Sequence, residues 1–250
     1  MNAIESGDFP YPAGDGLTCA GWLADGSGGR RAPGVLVAHE APGAYGELGD
    51  NVRRRATLLA ERGWVALALD MYGEAHTLEE AIPAHQALTA TPGLMLARAR
   101  AAFDALAAHP HVEPKRIAAI GFCQGGMTSL ELARANAPGL RAAIGFHPGL
   151  LRPAGSPDGA PIAAKVLMLV GDDDPVAPPE HRAAFAAEMK ARQADWQLHL
   201  FGGVGHSFTE PKADEFAQKY GMAGFGYDAA ADRRSWAMAL DLLDEAFGET

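Results

Sequence analysis

An α/β fold, with a mostly parallel sheet wrapped by helices on both faces, is predicted by three features of this 250-residue chain. Short apolar runs recur along its whole length, most of them are continuous rather than alternating, and helical patterns fill the gaps between them. Continuous hydrophobicity suits strands that are covered on both sides, as in a parallel sheet. Taken in order, the strand-like runs are residues 17–23, 35–39, 65–70, 117–121, 142–146, 166–171 and 197–201. The first alternates and carries Cys19, read as a packed side chain. A Gly/Arg-rich stretch, 26–34, reads as a solvated hairpin turn before the second. Val52, Ala56, Leu59 and Ala60 make one helical stripe, and Trp236, Leu240, Leu243 and Phe247 make a late one, stepping by four, three and four residues. Strands alternating with helices imply right-handed crossovers, which place chemistry in the loops at the strands' carboxyl ends. There is no internal repeat, linker or low-complexity tract, so residues 1–250 are read as a single domain.

Composition narrows the function. A net charge of −10 and a pI near 5.3 argue against nucleic acid or an anionic membrane as partner, because both select basic surfaces. No apolar run reaches the roughly 18 residues of a spanning helix, and the first residues lack a basic segment followed by an apolar one, so a cytoplasmic location is expected. Cys19 and Cys123 are too few for a disulfide framework, which fits a reduced compartment and a functional thiol.

That thiol lies in Gly121-Phe122-Cys123-Gln124-Gly125, between a short apolar strand and a helix pattern beginning near Met127. A nucleophile elbow belongs at such a junction. The backbone turns too sharply for side chains on either flank, and the helix N-terminus favours a thiolate. The elbow calls for an acid and then a histidine, each after a later strand. Gly171-Asp172-Asp173-Asp174-Pro175 follows one strand, and Gly205-His206-Ser207-Phe208 follows the last. His206 is the histidine candidate on order and position. His39, His147 and His199 lie in or beside strands and compete with it, His39 most strongly; His76, His85, His109, His111 and His181 read as loop or helix-surface residues. His109-Pro110-His111 lacks a further ligand at zinc-site spacing and is read as a helix-ending turn. One of the three aspartates orients the histidine, and the others belong to an acidic turn. Oxyanion donors are expected from the Gln124 amide and, in His39-Glu40-Ala41-Pro42-Gly43, from the Ala41 amide, since Pro42 has no N–H. Glu40 either gates the thiol, by repelling its charge or taking its proton, or is a strand-end carboxylate paired with an arginine or a backbone amide.

Together with Ala68-Leu69-Asp70-Met71-Tyr72-Gly73 and Tyr227-Asp228-Ala229-Ala230-Ala231, these segments resemble the dienelactone hydrolase family over nearly the whole chain. The resemblance implies an α/β-hydrolase fold and a Cys-Asp-His triad, with Asp174 as the acid (Asp173 second), His206 as the base and Glu40 as a substrate-dependent switch. The sequence departs from the family pattern at Glu210, where an arginine four residues past the histidine would hold a substrate carboxylate. Arg98 or Arg100 could supply another anchor, or lie solvated at a helix start. Tyr72 and His76 are read as pocket-lining residues. The expected activity is cofactor-independent cleavage of a small ester or lactone through an acyl-enzyme. A thioesterase or acyl transferase on the same triad is the alternative, and a non-enzymatic thiol, redox-active or lining a ligand pocket, is the reading from another class. The expected partners are the small-molecule substrate and at most a second copy in a homodimer.

Overall fold

The computed structural model describes residues 3–73 and 77–248. Eight strands form one sheet in the order β1-β2-β4-β3-β5-β6-β7-β8. They are β1 (Glu5–Pro12), β2 (Thr18–Asp25), β3 (Ala32–Ala38), β4 (Val65–Ala68), β5 (Val112–Phe122), β6 (Leu140–Phe146), β7 (Lys165–Gly171) and β8 (Trp196–Phe201). From β4 through β8 every pairing is parallel, while β2 runs antiparallel to both β1 and β4.

Helices α1 (Gly49–Ala60), α2 (Leu78–Ala90), α3 (Leu94–Ala107), α4 (Gln124–Arg134), α5 (Pro179–Ala191), α6 (Ala213–Tyr220) and α7 (Ala229–Phe247) complete the fold. Successive strand residues point to opposite faces, and each face finds its own cover. Val35 and Val37 join a core with α1 and α7, whereas Leu36 between them joins a second core with α3, α4 and α5. This two-sided burial is what makes β3 a continuous apolar run.

One expectation changes, and one strand lies outside the predicted set. Residues 26–34 do not close a hairpin, because β4 lies between β2 and β3 in the sheet; β3 instead takes parallel partners on both sides. The edge strand β1 has no apolar signature to read: its residues are mostly exposed, and it holds Pro10 and Pro12, which an edge tolerates because one side of the strand has no partner awaiting its N–H groups. No helix among the described residues is long and apolar enough to cross a membrane.

Candidate active site

Parallel pairing brings the ends of β5, β7 and β8 to one edge of the sheet, and each delivers one side chain. Cys123 follows β5 directly and caps α4 with φ 53° and ψ −115°, a left-sided backbone that a non-glycine residue rarely holds. Its amide bonds to the Phe146 carbonyl at 3.0 Å, and its own carbonyl accepts from Gly126 at 3.0 Å, so the turn is held from both sides. The flanking glycines are required by contact. A Cβ on Gly121 would stand 2.0 Å from the Gly125 carbonyl oxygen, and one on Gly125 would stand 2.1 Å from that of Ala38.

His206 closes the loop after β8. Its backbone bridges Phe225, donating to Gly224 at 2.8 Å and accepting from Gly226 at 3.0 Å, and its ring lies 4.5 Å from that of Phe225. Nδ1 donates to Asp174 Oδ2 at 2.8 Å, and Asp174 Oδ1 accepts from the Val176 amide at 2.7 Å. Imidazole and carboxylate are both buried. Nε2 is buried with no hydrogen-bond partner among the described residues. Burial alone would discharge this imidazole, but the Cys123 sulfur and the Asp174 carboxylate outweigh it and raise its pKa to about 10. The other two aspartates face elsewhere: Asp172 pairs with Arg182 at 2.5 Å and Asp173 is exposed.

His39 and His147 lie close to the site but are held by other contacts. His39 Nε2 accepts from the Met71 amide at 3.1 Å and Nδ1 donates to the Glu40 carbonyl at 2.6 Å, so both nitrogens are spent on holding two loops together. His147 sits with its ring 5.0 Å from that of His206, and Nε2 is 2.8 Å from Thr209 Oγ1. Burial, with the neighbouring His206, pushes its pKa well down, which keeps this second ring neutral.

Two buried carboxylates adjoin the site. Glu40 accepts from the Ser207 hydroxyl at 3.3 Å through Oε2, while Oε1 has no partner. Burial and the nearby Glu210 push its pKa to about 8, against the opposing pull of His206. Glu210, 3 % exposed, has its own pKa raised by burial, and its Oε1 accepts from the Lys212 amide at 2.9 Å. Of the two sequence readings of Glu40, neither pairing partner is met, since its side-chain bond comes from a hydroxyl.

Cys123, His206, Glu40, Ala41 and Gln124 all line a cavity of about 360 Å³. Its walls are Leu48, Leu78, Ile82, Met127, Phe216, Met222 and Phe225, and among the described residues no lysine or arginine lines it. Arg98 instead pairs with Asp15 at 2.9 Å and donates to the Met71 carbonyl at 2.6 Å; Arg100 pairs along its own helix with Asp104 at 2.8 Å. Neither reaches the cavity. Tyr72 lies behind the wall, donating to Gln124 Oε1 at 2.7 Å, and His76 is outside the described residues. His85, read from sequence as a surface residue, lines the cavity and its Nδ1 donates to the same Gln124 oxygen. Sequence carries little trace of that role, because it depends on where α2 packs.

The family model for the dienelactone hydrolase family matches residues 20–247. The chain belongs to that family. Within it, this member is 38% identical over 159 residues to an uncharacterized protein of Caenorhabditis elegans, an alignment covering 62% of this chain and 96% of the other. It is 30% identical over 198 residues to a Bradyrhizobium sp protein named "Probable 2-oxo-3-(5-oxofuran-2-ylidene)propanoate lactonase", covering 74% of this chain and 77% of that one. Among solved structures, a dienelactone hydrolase-like promiscuous phosphotriesterase from metagenomic libraries superposes with a TM-score of 0.83 at 38% identity, covering 98% of this chain and 99% of that one. As a dienelactone hydrolase family member with these relatives, the chain is a hydrolase acting on esters.

Proposed function

We propose that this hydrolase cleaves a small, uncharged ester or lactone through Cys123, His206 and Asp174. The observation that carries the reading is the buried His206 ring, tied to Asp174 at Nδ1, with an unpartnered Nε2 in the cavity that Cys123 lines. Cys123 as thiolate attacks the carbonyl carbon, and the electron pair moves onto the carbonyl oxygen. The Ala41 and Gln124 amides receive that oxyanion; losing one such donor costs roughly 3 to 4 kcal/mol in comparable sites. As the tetrahedral carbon collapses, His206 passes its proton to the leaving alkoxide and the thioester acyl-enzyme forms. Water, deprotonated by His206, then attacks the thioester and releases the acid and the thiolate. Asp174 holds the imidazole in the tautomer that presents Nε2 and balances its charge.

The uncharged substrate follows from the walls. The walls are mostly apolar and, among the described residues, no lysine or arginine lines them, so a substrate carboxylate would shed its hydration there without a guanidinium or ammonium to receive it. The same feature suits a neutral phosphotriester, the substrate class in the name of the structural relative. The test is a panel of neutral aryl esters, neutral lactones, thioesters and carboxylate-bearing lactones, assayed on wild type and Cys123→Ala. Turnover of neutral esters, lost by at least about a thousandfold in Cys123→Ala, is expected. Unchanged hydrolysis in Cys123→Ala refutes the thiol's role, and preference for carboxylate-bearing lactones refutes the uncharged substrate.

A further inference from the structure

His109-Pro110-His111 forms the turn between α3 and β5, as its sequence suggests, but folding adds a ligand that sequence spacing conceals. Asp25, the last residue of β2, meets both rings: one possible donor atom from each of Asp25, His109 and His111 lies within 4.8 Å of the others. Asp25 pairs with Val65 at the start of β4, and Ala32 pairs with Val112 at the start of β5. The cluster therefore sits at the amino-end edge of the parallel strands, the opposite edge from Cys123.

We propose that Asp25, His109 and His111 bind a divalent transition-metal ion of the zinc class. Two imidazoles and one carboxylate form a donor set that such ions take, with a fourth position left for water. The carboxylate is already oriented: Oδ1 accepts from the Ser27 amide at 2.8 Å, which turns Oδ2 toward His111 Nδ1 at 2.6 Å. An outer hydrogen bond of this kind fixes a ligand before the ion arrives. The His109 ring packs edge-on to His111 at 5.2 Å, and Phe9 packs on its other side at 6.1 Å. Glu5, the cross-strand partner of Asp25, lines the same open depression of about 220 Å³ together with Asp8. Among the described residues no lysine or arginine lines it, so the local field attracts a cation.

Binding is written as an exchange. The ion displaces the proton shared between His111 Nδ1 and Asp25 Oδ2, which leaves to solvent, and the separation of those atoms widens to about 3.3 Å, as ligand distances near 2.1 Å require. His109 contributes a ring lone pair, and the amide bond it now accepts from His111 is long enough, at 3.3 Å, to be given up. The His111 side chain is 32% exposed and can make that movement. An ion held here joins the end of β2 to the α3–β5 turn, and because the unfolded chain lacks the site, binding stabilises the fold.

The test is run in a Cys123→Ser background, so that the active-site thiol cannot ligate. Titration with Co²⁺ should give visible d–d absorption saturating at one equivalent, and excess Zn²⁺ should raise the melting temperature. His109→Ala/His111→Ala should abolish both effects. Asp25→Asn, which keeps size and a hydrogen-bonding oxygen, should weaken binding by at least about tenfold while the apo protein stays folded by circular dichroism. No saturable binding in the parent, or equal binding in the double variant or in Asp25→Asn, overturns the proposal.

Discussion

Glu40 lines the same cavity as the Cys123 thiol, so its charge state bears on the field there. Its carboxyl is buried, its only side-chain bond comes from the Ser207 hydroxyl, and its pKa rises from 4.5 to about 8. Between those values the native state keeps a proton that the unfolded chain has lost, so native stability falls as pH rises through this window. Glu40→Gln removes the penalty. The unfolding free energy of the variant relative to wild type should therefore climb between pH 5 and pH 8, by up to about 1.4 kcal/mol per pH unit. Urea unfolding at three pH values measures this, and a flat difference means that Glu40 ionises as an ordinary carboxylate. At this scale, sequence legibility depended on how local the signal is. Cys123 and His206 stand in motifs whose neighbours announce them. In sequence only family spacing separates Asp174 from Asp172 and Asp173, and the distinguishing fact is spatial: Asp174 bonds His206 while Asp172 bonds Arg182. The burial of Glu210 and the cavity position of His85 have no local marker at all.

The elbow is a property of three elements rather than of one residue. Helix α4 starts so close to β3 and β5 that its first turn admits no side chain at Gly125, where a Cβ would overlap the backbone oxygen of Ala38. Gly125→Ala must push α4 away from β3, and the same shift moves the Gln124 amide relative to that of Ala41. Overpacking of this kind costs about 1 to 3 kcal/mol, or roughly 2 to 12 °C in a chain of this length. The expected result is a lower melting temperature with a fall in kcat of at least about tenfold, since the two proposed oxyanion donors separate. Gly202→Ala is the control: a Cβ there meets nothing within 4 Å, and the same assays should leave it unchanged. A Gly125→Ala protein with wild-type Tm and kcat contradicts the packing argument. The parallel strands are legible in sequence because burial on both faces leaves an unbroken apolar run, whereas β1, an exposed edge strand with two prolines, carries no such mark.

Across the whole molecule, the site depends on ties between segments far apart in sequence, and one of them is centred on Arg55. Its side chain is 3% exposed, pairs with Asp232 of α7, stacks 4.7 Å above the Trp236 ring and donates to the Thr209 carbonyl at 3.3 Å. Thus α1, α7 and the loop bearing His206 share one guanidinium. Removing Asp232 leaves that charge buried with no hydrogen-bonded carboxylate, a loss of about 3 to 5 kcal/mol. Asp232→Ala should accordingly lower the melting temperature by roughly 6 to 20 °C. Because Arg55 would then relax away from Thr209, kcat should fall more than KM rises. The double variant Arg55→Met/Asp232→Leu removes both charges together and fills the space with apolar atoms. It should recover most of the lost stability, since a buried ion pair contributes little beyond its well-packed apolar replacement. It should not recover kcat, because the bond to the Thr209 carbonyl is still missing. Full recovery of both quantities would show that Arg55 serves packing alone, and no destabilisation in Asp232→Ala would show that water or another acid reaches the guanidinium.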